Sequence, residues 1–241
     1  MGYNVTYNGQ ILDDIIPGYQ TLNIDGRGLL GRALDTVIVS GRAGDVVLGQ
    51  RVPPRDITVY YLIKRANNQE MQTSLGLLHK ALSSEGDVTF QFGDEEYYRT
   101  GRLASVKNPP YDSYSGVGSF TIHCQDPYKY KEMPVFSGQT IVMPATGNDG
   151  YRLDQIDVDF ALYTDRFSVD NFTTGRSIIL LGDFLAGDTL QITGRGIWVN
   201  DQPAMHRLNF VNTDWKKFEL NAGDTITAAH TMTMKVSERA L

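Results

Sequence analysis

The sequence predicts a mainly β protein in two domains. An N-terminal β-sandwich-like domain with one packed α-helix is expected over residues 1–132, and a C-terminal β-sandwich or jelly roll over residues 133–241. Three observations carry this. Apolar and polar side chains alternate over several short runs of the first half, which is the period-2 pattern of strands. A single run there has the 3.6-residue period of a helix. In the second half, short alternating runs recur between Gly, Asn and Asp turn signals with no helical run among them, the pattern of an all-β sandwich.

Residues 57–63 set Ile57, Val59, Tyr61 and Ile63 on one strand face, with Tyr60 and Leu62 on the other, so both faces are expected to be covered. Residues 69–84 form the helix, with Met71, Leu75, Leu78 and Leu82 as its apolar stripe. Asn67 and Asn68 are N-cap residues, and Glu70 stands where a capping box needs it. Gly86 is the expected stop. The stripe needs a sheet to pack on, because a lone helix of this length is marginal. His79, beside the stripe, reads as a packing residue. Val88, Phe90 and Phe92 mark a strand, residues 93–96 a turn, and residues 97–106 the return strand of a hairpin.

Asn108-Pro109-Pro110 breaks the pattern. Phe120, Ile122 and Cys124 then alternate up to Asp126-Pro127. The Pro- and Gly-rich stretch 131–150 is the expected domain boundary. Beyond it, strands are expected at Ile156, Val158 and Phe160, at residues 177–181, 188–192 and 197–199, at Leu208 and Phe210, at Phe218 and Leu220, and at Met232, Met234 and Val236.

Charge and motifs exclude several function classes. Lys and Arg number 22 against 28 Asp and Glu, a formal charge of −6. An acidic chain without clustered basic residues does not suit specific nucleic-acid binding. No apolar run approaches a membrane span, so no membrane insertion is expected. Cys124 is the single cysteine and cannot form an intramolecular disulfide. Gly26-Arg27-Gly28-Leu29-Leu30-Gly31 matches G-x-G-x-x-G, but residues 35–41 continue as a β-branched run ended by glycine, where a dinucleotide site needs a helix. His123 and Cys124 are neighbours on a strand and face opposite ways, which suits neither a zinc site nor a nucleophile pair. Asp154, Asp157 and Asp159 lack the glycine and late glutamate of a calcium loop. The four histidines, His79, His123, His206 and His230, are scattered. No catalytic motif, cofactor or metal site is expected. Trp198 and Trp215, with Asn200, Asp201 and Asn212 nearby, are the residues a sugar-binding β-sandwich would use.

The run Asp126-Pro127-Tyr128-Lys129-Tyr130 resembles the distal tail proteins (Dit, the siphovirus tail component family) of long-tailed bacteriophages. Arg55-Asp56-Ile57-Thr58-Val59, the helix around Leu75 to Leu82 and a hairpin ending in Tyr97-Tyr98-Arg99 stand before it in the family's order. Gly41-Arg42-Ala43-Gly44-Asp45 occupies the place of a glycine-rich turn, without the proline and central acid of that turn. Residues 220–226 are similar to the turn that enters the last strands of the family's galectin-like C-terminal domain.

The resemblance implies a non-catalytic hub at the virion tail tip, made in the cytoplasm of the bacterial host. The protein would close with itself as a homohexamer, a six-fold ring with DNA passing through the centre. Its partners would be the major tail tube protein, the tape measure protein, the tail-associated lysin or fibre, and receptor-binding proteins. Residues 26–55, with Arg32, Arg42, Asp45, Arg51 and Arg55, are the candidate ring interface. A carbohydrate-binding β-sandwich module using Trp198 or Trp215 is the alternative.

Overall fold

The computed structural model describes residues 4–110, 112–213, 215 and 218–241. They form two compact units, one up to Lys129 (with Leu241) and one over Tyr130–Ala240.

The first unit contains β1 (Val5–Tyr7), β2 (Gln10–Ile11), a one-turn helix α1 (Leu12–Ile15), β3 (Tyr19–Asp25), β4 (Ala33–Ile38), β5 (Asp45–Arg51), β6 (Arg55–Lys64), α2 (Asn68–Leu82), β7 (Val88–Phe92), β8 (Tyr98–Lys107) and β9 (Ser115–Cys124). Antiparallel pairing runs β3–β6–β9–β8–β7–β1–β2. Strand β8 serves two neighbours: its first residues pair with β7 and its later ones, past a bulge near Leu103, with β9. Ile57, Val59, Tyr61 and Ile63 are buried as the alternation requires, and Tyr60 and Leu62 are half-buried.

Met71, Leu78 and Leu82 of α2 join the same core, each stabilising it by roughly 1.5–3 kcal/mol. The Asn67 side chain accepts the Glu70 N–H at 2.9 Å, and its amide donates to the Glu70 carboxylate at 3.0 Å, a reciprocal cap. The helix stops at Leu82, before the expected glycine, because Ser83 is already extended. His79 is exposed, so it is not the packing residue the sequence suggested; the stripe lies one position to its side.

The second unit contains β10 (Lys129–Glu132, beginning one residue earlier), β11 (Phe136–Val142), β12 (Tyr151–Asp159), β13 (Thr164–Asn171), β14 (Arg176–Phe184), β15 (Thr189–Thr193), β16 (Gly196–Val199), β17 (Gln202–Pro203) and the 16-residue β18 (Thr225–Ala240). Strand β18 runs through two antiparallel layers. Its first part pairs with β13, which pairs with β14. Its later part pairs with β12, from which β15, β16 and β17 continue. Strand β11 follows β18 through both layers, with an irregularity at Gly138. The core between them includes Ile156, Phe160, Phe167, Leu180, Phe184 and Met234. Phe160 stacks on Phe184 at 4.7 Å and meets Phe167 edge-on at 5.7 Å. Two expected strands are irregular: Leu208 and Leu220 each make one isolated bridge, and Phe210 is exposed.

Candidate functional site

Residues 26–54 leave the first unit as an arm. Strands β4 and β5 pair only with each other, with a bulge between Asp35 and Thr36. The turn between them uses Gly41 and Gly44 at φ +81° and +79°, conformations glycine adopts without strain. None of these residues is buried. Leu34, Val37, Ile38, Val39, Val47 and Leu48 are all exposed, Ile38 to 83 % and Leu48 to 71 %. An isolated two-stranded hairpin is marginal in water, and an exposed apolar ribbon with free edges is a pairing surface. Arg27, Arg32, Arg42 and Arg51 against Asp35 and Asp45 give the arm a formal charge of +2 within a chain of −6.

The root of the arm is held on both sides. Arg55, the first residue of β6, is buried, and its Nη1 donates to the carbonyls of Gly26 and Gly28, both at 2.9 Å. Burial, aided by the neighbouring Arg99 charge, lowers the Arg55 pKa from its ordinary value. Gly26 turns at φ +88°, where a Cβ would lie 2.1 Å from the Asp56 carbonyl oxygen. On the other side Arg27 pairs with Asp94 at 2.9 Å and Glu95 at 3.7 Å, its guanidinium 4.6 Å from the Phe92 ring centre. Glu95 also pairs with buried Arg99 and with Lys129, the latter at 3.3 Å.

Arg32, Arg42, Asp45 and Arg51 are exposed on the arm, whereas Arg55 is inside its root. The G-x-G-x-x-G run leads into β4 and no helix follows it. Burial pushes the Cys124 thiol up to about 11. His123 points the other way, 2.7 Å from Asp56. Among the described residues, no cluster of three or more His, Cys, Asp or Glu is arranged to hold a metal ion, and no helix is long and apolar enough to cross a membrane.

The two tryptophans do not share a site. Trp215 packs against the core of the second unit and lines a cavity of about 200 Å³ with Tyr130, Tyr151 and Phe218. The Arg152 guanidinium there lies 3.8 Å from the Tyr130 ring centre. Trp198 lines a separate cleft of about 210 Å³.

Residues 153–239 match the family model of the siphovirus-type tail component, C-terminal domain. The whole fold is similar to the crystal structure of the Dit protein (gp 19.1) of phage SPP1, described as a paradigm of the hub adsorption apparatus in phages infecting Gram-positive hosts. The TM-score is 0.83 at 16 % identity, over 100 % of both chains. It is also similar to a chain of the phage P2 baseplate in its activated conformation with Ca, with a TM-score of 0.60 at 9 % identity over 99 % of this chain and 98 % of that one. The same baseplate with Sr gives 0.56 at 9 % identity, over 97 % of each chain. No curated protein matches the chain in sequence.

Proposed function

We infer, from the match of residues 153–239 to the siphovirus-type tail component family model and a fold similar to the SPP1 hub protein over its full length, that this chain is a distal tail protein, a structural hub of the phage tail tip. It catalyses nothing and takes no cofactor. Six copies close into a ring that joins the tail tube to the tail-associated lysin or fibre, and DNA passes through the centre. The tape measure protein and receptor-binding proteins are its further partners. It is synthesised in the host cytoplasm and works in the virion.

The observation that carries the assembly is the arm. It exposes backbone edges and six large apolar side chains on a hairpin that has no layer to pack on, so its stability requires a neighbour. With Arg27 paired to its own chain, Arg32, Arg42 and Arg51 against Asp35 and Asp45 leave the arm at +1, which complements the acidic remainder of an adjacent copy. A cyclic ring needs a heterologous contact of this kind, in which one patch meets a different patch. Arg32, Arg42, Asp45 and Arg51 make the polar contacts of that interface. Arg55 acts from behind them, fixing the direction in which the arm leaves.

Light scattering across a concentration series tests this. The intact chain should show a discrete species of about six protomers. A variant in which a short Gly-Ser linker replaces residues 33–51 should be monomeric with an unchanged circular dichroism melt of the body. A linker variant that still assembles would remove the arm from the interface. An intact chain that stays monomeric at every concentration would rule out closure without tail partners.

A further inference from the structure

Strands β12, β15 and β16 place Asp157, Gln191 and Trp198 in one cross-strand row. Their sequence neighbours Ile156, Ile192 and Ile197 are buried, so the row stands on the outer face of the layer. Asp159 and Thr189 are register partners in the next row, and Leu190 and Asp201, the latter in the turn after β16, also line the cleft. The benzo ring of Trp198 packs along Gly196, where a Cβ would come within 3.2 Å of it. Glycine at that position lets the indole lie along the strand.

We propose that this cleft binds one neutral sugar ring of a glycan, with Trp198 as the stacking platform. Three features select that ligand. A flat aromatic edge beside a polar row matches a sugar ring, which has an apolar C–H face and a hydroxyl rim. The cleft offers both hydrogen-bonding senses that hydroxyls need: the Gln191 amide donates, and Asp157 and Asp159 accept. The arrangement is also set before a ligand arrives, because Asp157 accepts from Gln155 at 2.7 and 2.8 Å and from Gln191 at 3.2 Å. The cleft, at about 210 Å³, is smaller than the roughly 300 Å³ of a drug-sized site and suits a single ring. Asp157, Asp159 and Asp201 line it and no Arg or Lys does. Lys235 pairs with Asp157 at 4.0 Å. Phosphorylated and acidic sugars are therefore disfavoured by charge.

Saturation-transfer NMR on the full chain, with methyl β-glucoside, methyl β-galactoside and N-acetylglucosamine as probes, tests the site. At least one of these should bind saturably in the millimolar range, equally at low and high salt, while glucose 6-phosphate does not bind. Trp198→Ala should abolish binding. The exposed Asp159→Ala should weaken it about tenfold, the scale of one lost hydrogen bond. Trp215→Phe should leave it unchanged. Circular dichroism melts confirm that each variant is folded, and Trp198→Phe serves if Trp198→Ala is not. If none of the three sugars binds, or if only arginine amide binds and salt displaces it, the sugar assignment is wrong; in the second case the cleft receives a basic side chain of a protein. The outcome is independent of the ring, which light scattering reads on the same samples.

Discussion

Arg99 shows how closely packing and charge are linked in the first unit. It is 2 % exposed, lies 5.6 Å from the Phe92 ring centre and pairs with Glu95. Removing the acid strands a buried cation, a change of about 3–5 kcal/mol. Glu95→Ala is therefore expected to lower the denaturation midpoint of the first unit sharply, read by urea titration. Arg99→Met, which removes the charge and keeps an apolar stem, should be milder. Arg55 belongs with it. It stands two residues before Ile57, in phase with Val59, Tyr61 and Ile63, and that phase was the signal in the sequence that it points inward. An arginine in a charged, glycine-rich setting reads as surface, which hides the clamp on Gly26 and Gly28. The Cys124 thiol supplies a pH test. Burial raises its pKa from 9.0 to about 11, and burial raises Tyr61 from 10.0 to about 12. A raised pKa means the folded state holds the proton more tightly, so the Cys124 contribution is complete below about pH 9 and declines as pH rises toward 11, and the Tyr61 contribution declines from pH 10 toward about 12. Thermal melts of the first unit should fall across that window, and Cys124→Ala should flatten part of the fall.

The arm is the element whose behaviour departs most from the rest of the fold. Charged side chains at Ile38 and Leu48 would sit in solvent in a monomer and be desolvated in a ring. Ile38→Asp and Leu48→Asp are thus expected to leave the melt of the body unchanged and to shift the light-scattering mass to the monomer. Gly26→Ala tests the root instead: its Cβ would meet the Asp56 carbonyl at 2.1 Å, so the arm should leave at a changed angle and ring formation should drop even though every interface side chain is intact. Elements were legible in the sequence where one face is strongly apolar, as in β6, α2, β7 and β9. Strand β13 was not, because Phe167 and Val169 are its only large apolar residues among Thr, Asp, Arg, Ser and Asn. The opposite error arose at Leu208 and Phe210, which alternate but do not form a strand. There the Asn209 side chain accepts the N–H groups of Val211 and Asn212 at 3.2 and 3.3 Å, and a local turn of this kind competes with pairing. Of the candidate sugar site, Trp198 was visible and Gln191 was not, since their adjacency exists only through the β15–β16 register.

At the scale of the whole molecule the decisive quantity is where the charges go. The arm holds +2 of a chain at −6, so the rest carries −8. If arms are consumed in contacts between copies, Arg32, Arg42 and Arg51 would be met by the neighbour, and the charge left to the other surfaces would be negative on balance. DNA passing through such a ring would meet net repulsion, which would favour sliding over retention. Two consequences can be measured together. Assembly should weaken as ionic strength rises well above about 0.15 M, because salt screens the arm's attraction to the neighbouring copy. Double-stranded DNA should not be retained by the assembled ring in a filter-binding assay at physiological salt. Retention with a steep negative dependence on salt would place Arg32, Arg42 and Arg51 on the lumen wall instead of between copies, and Arg42→Ala would then reduce that slope while leaving the ring's mass unchanged.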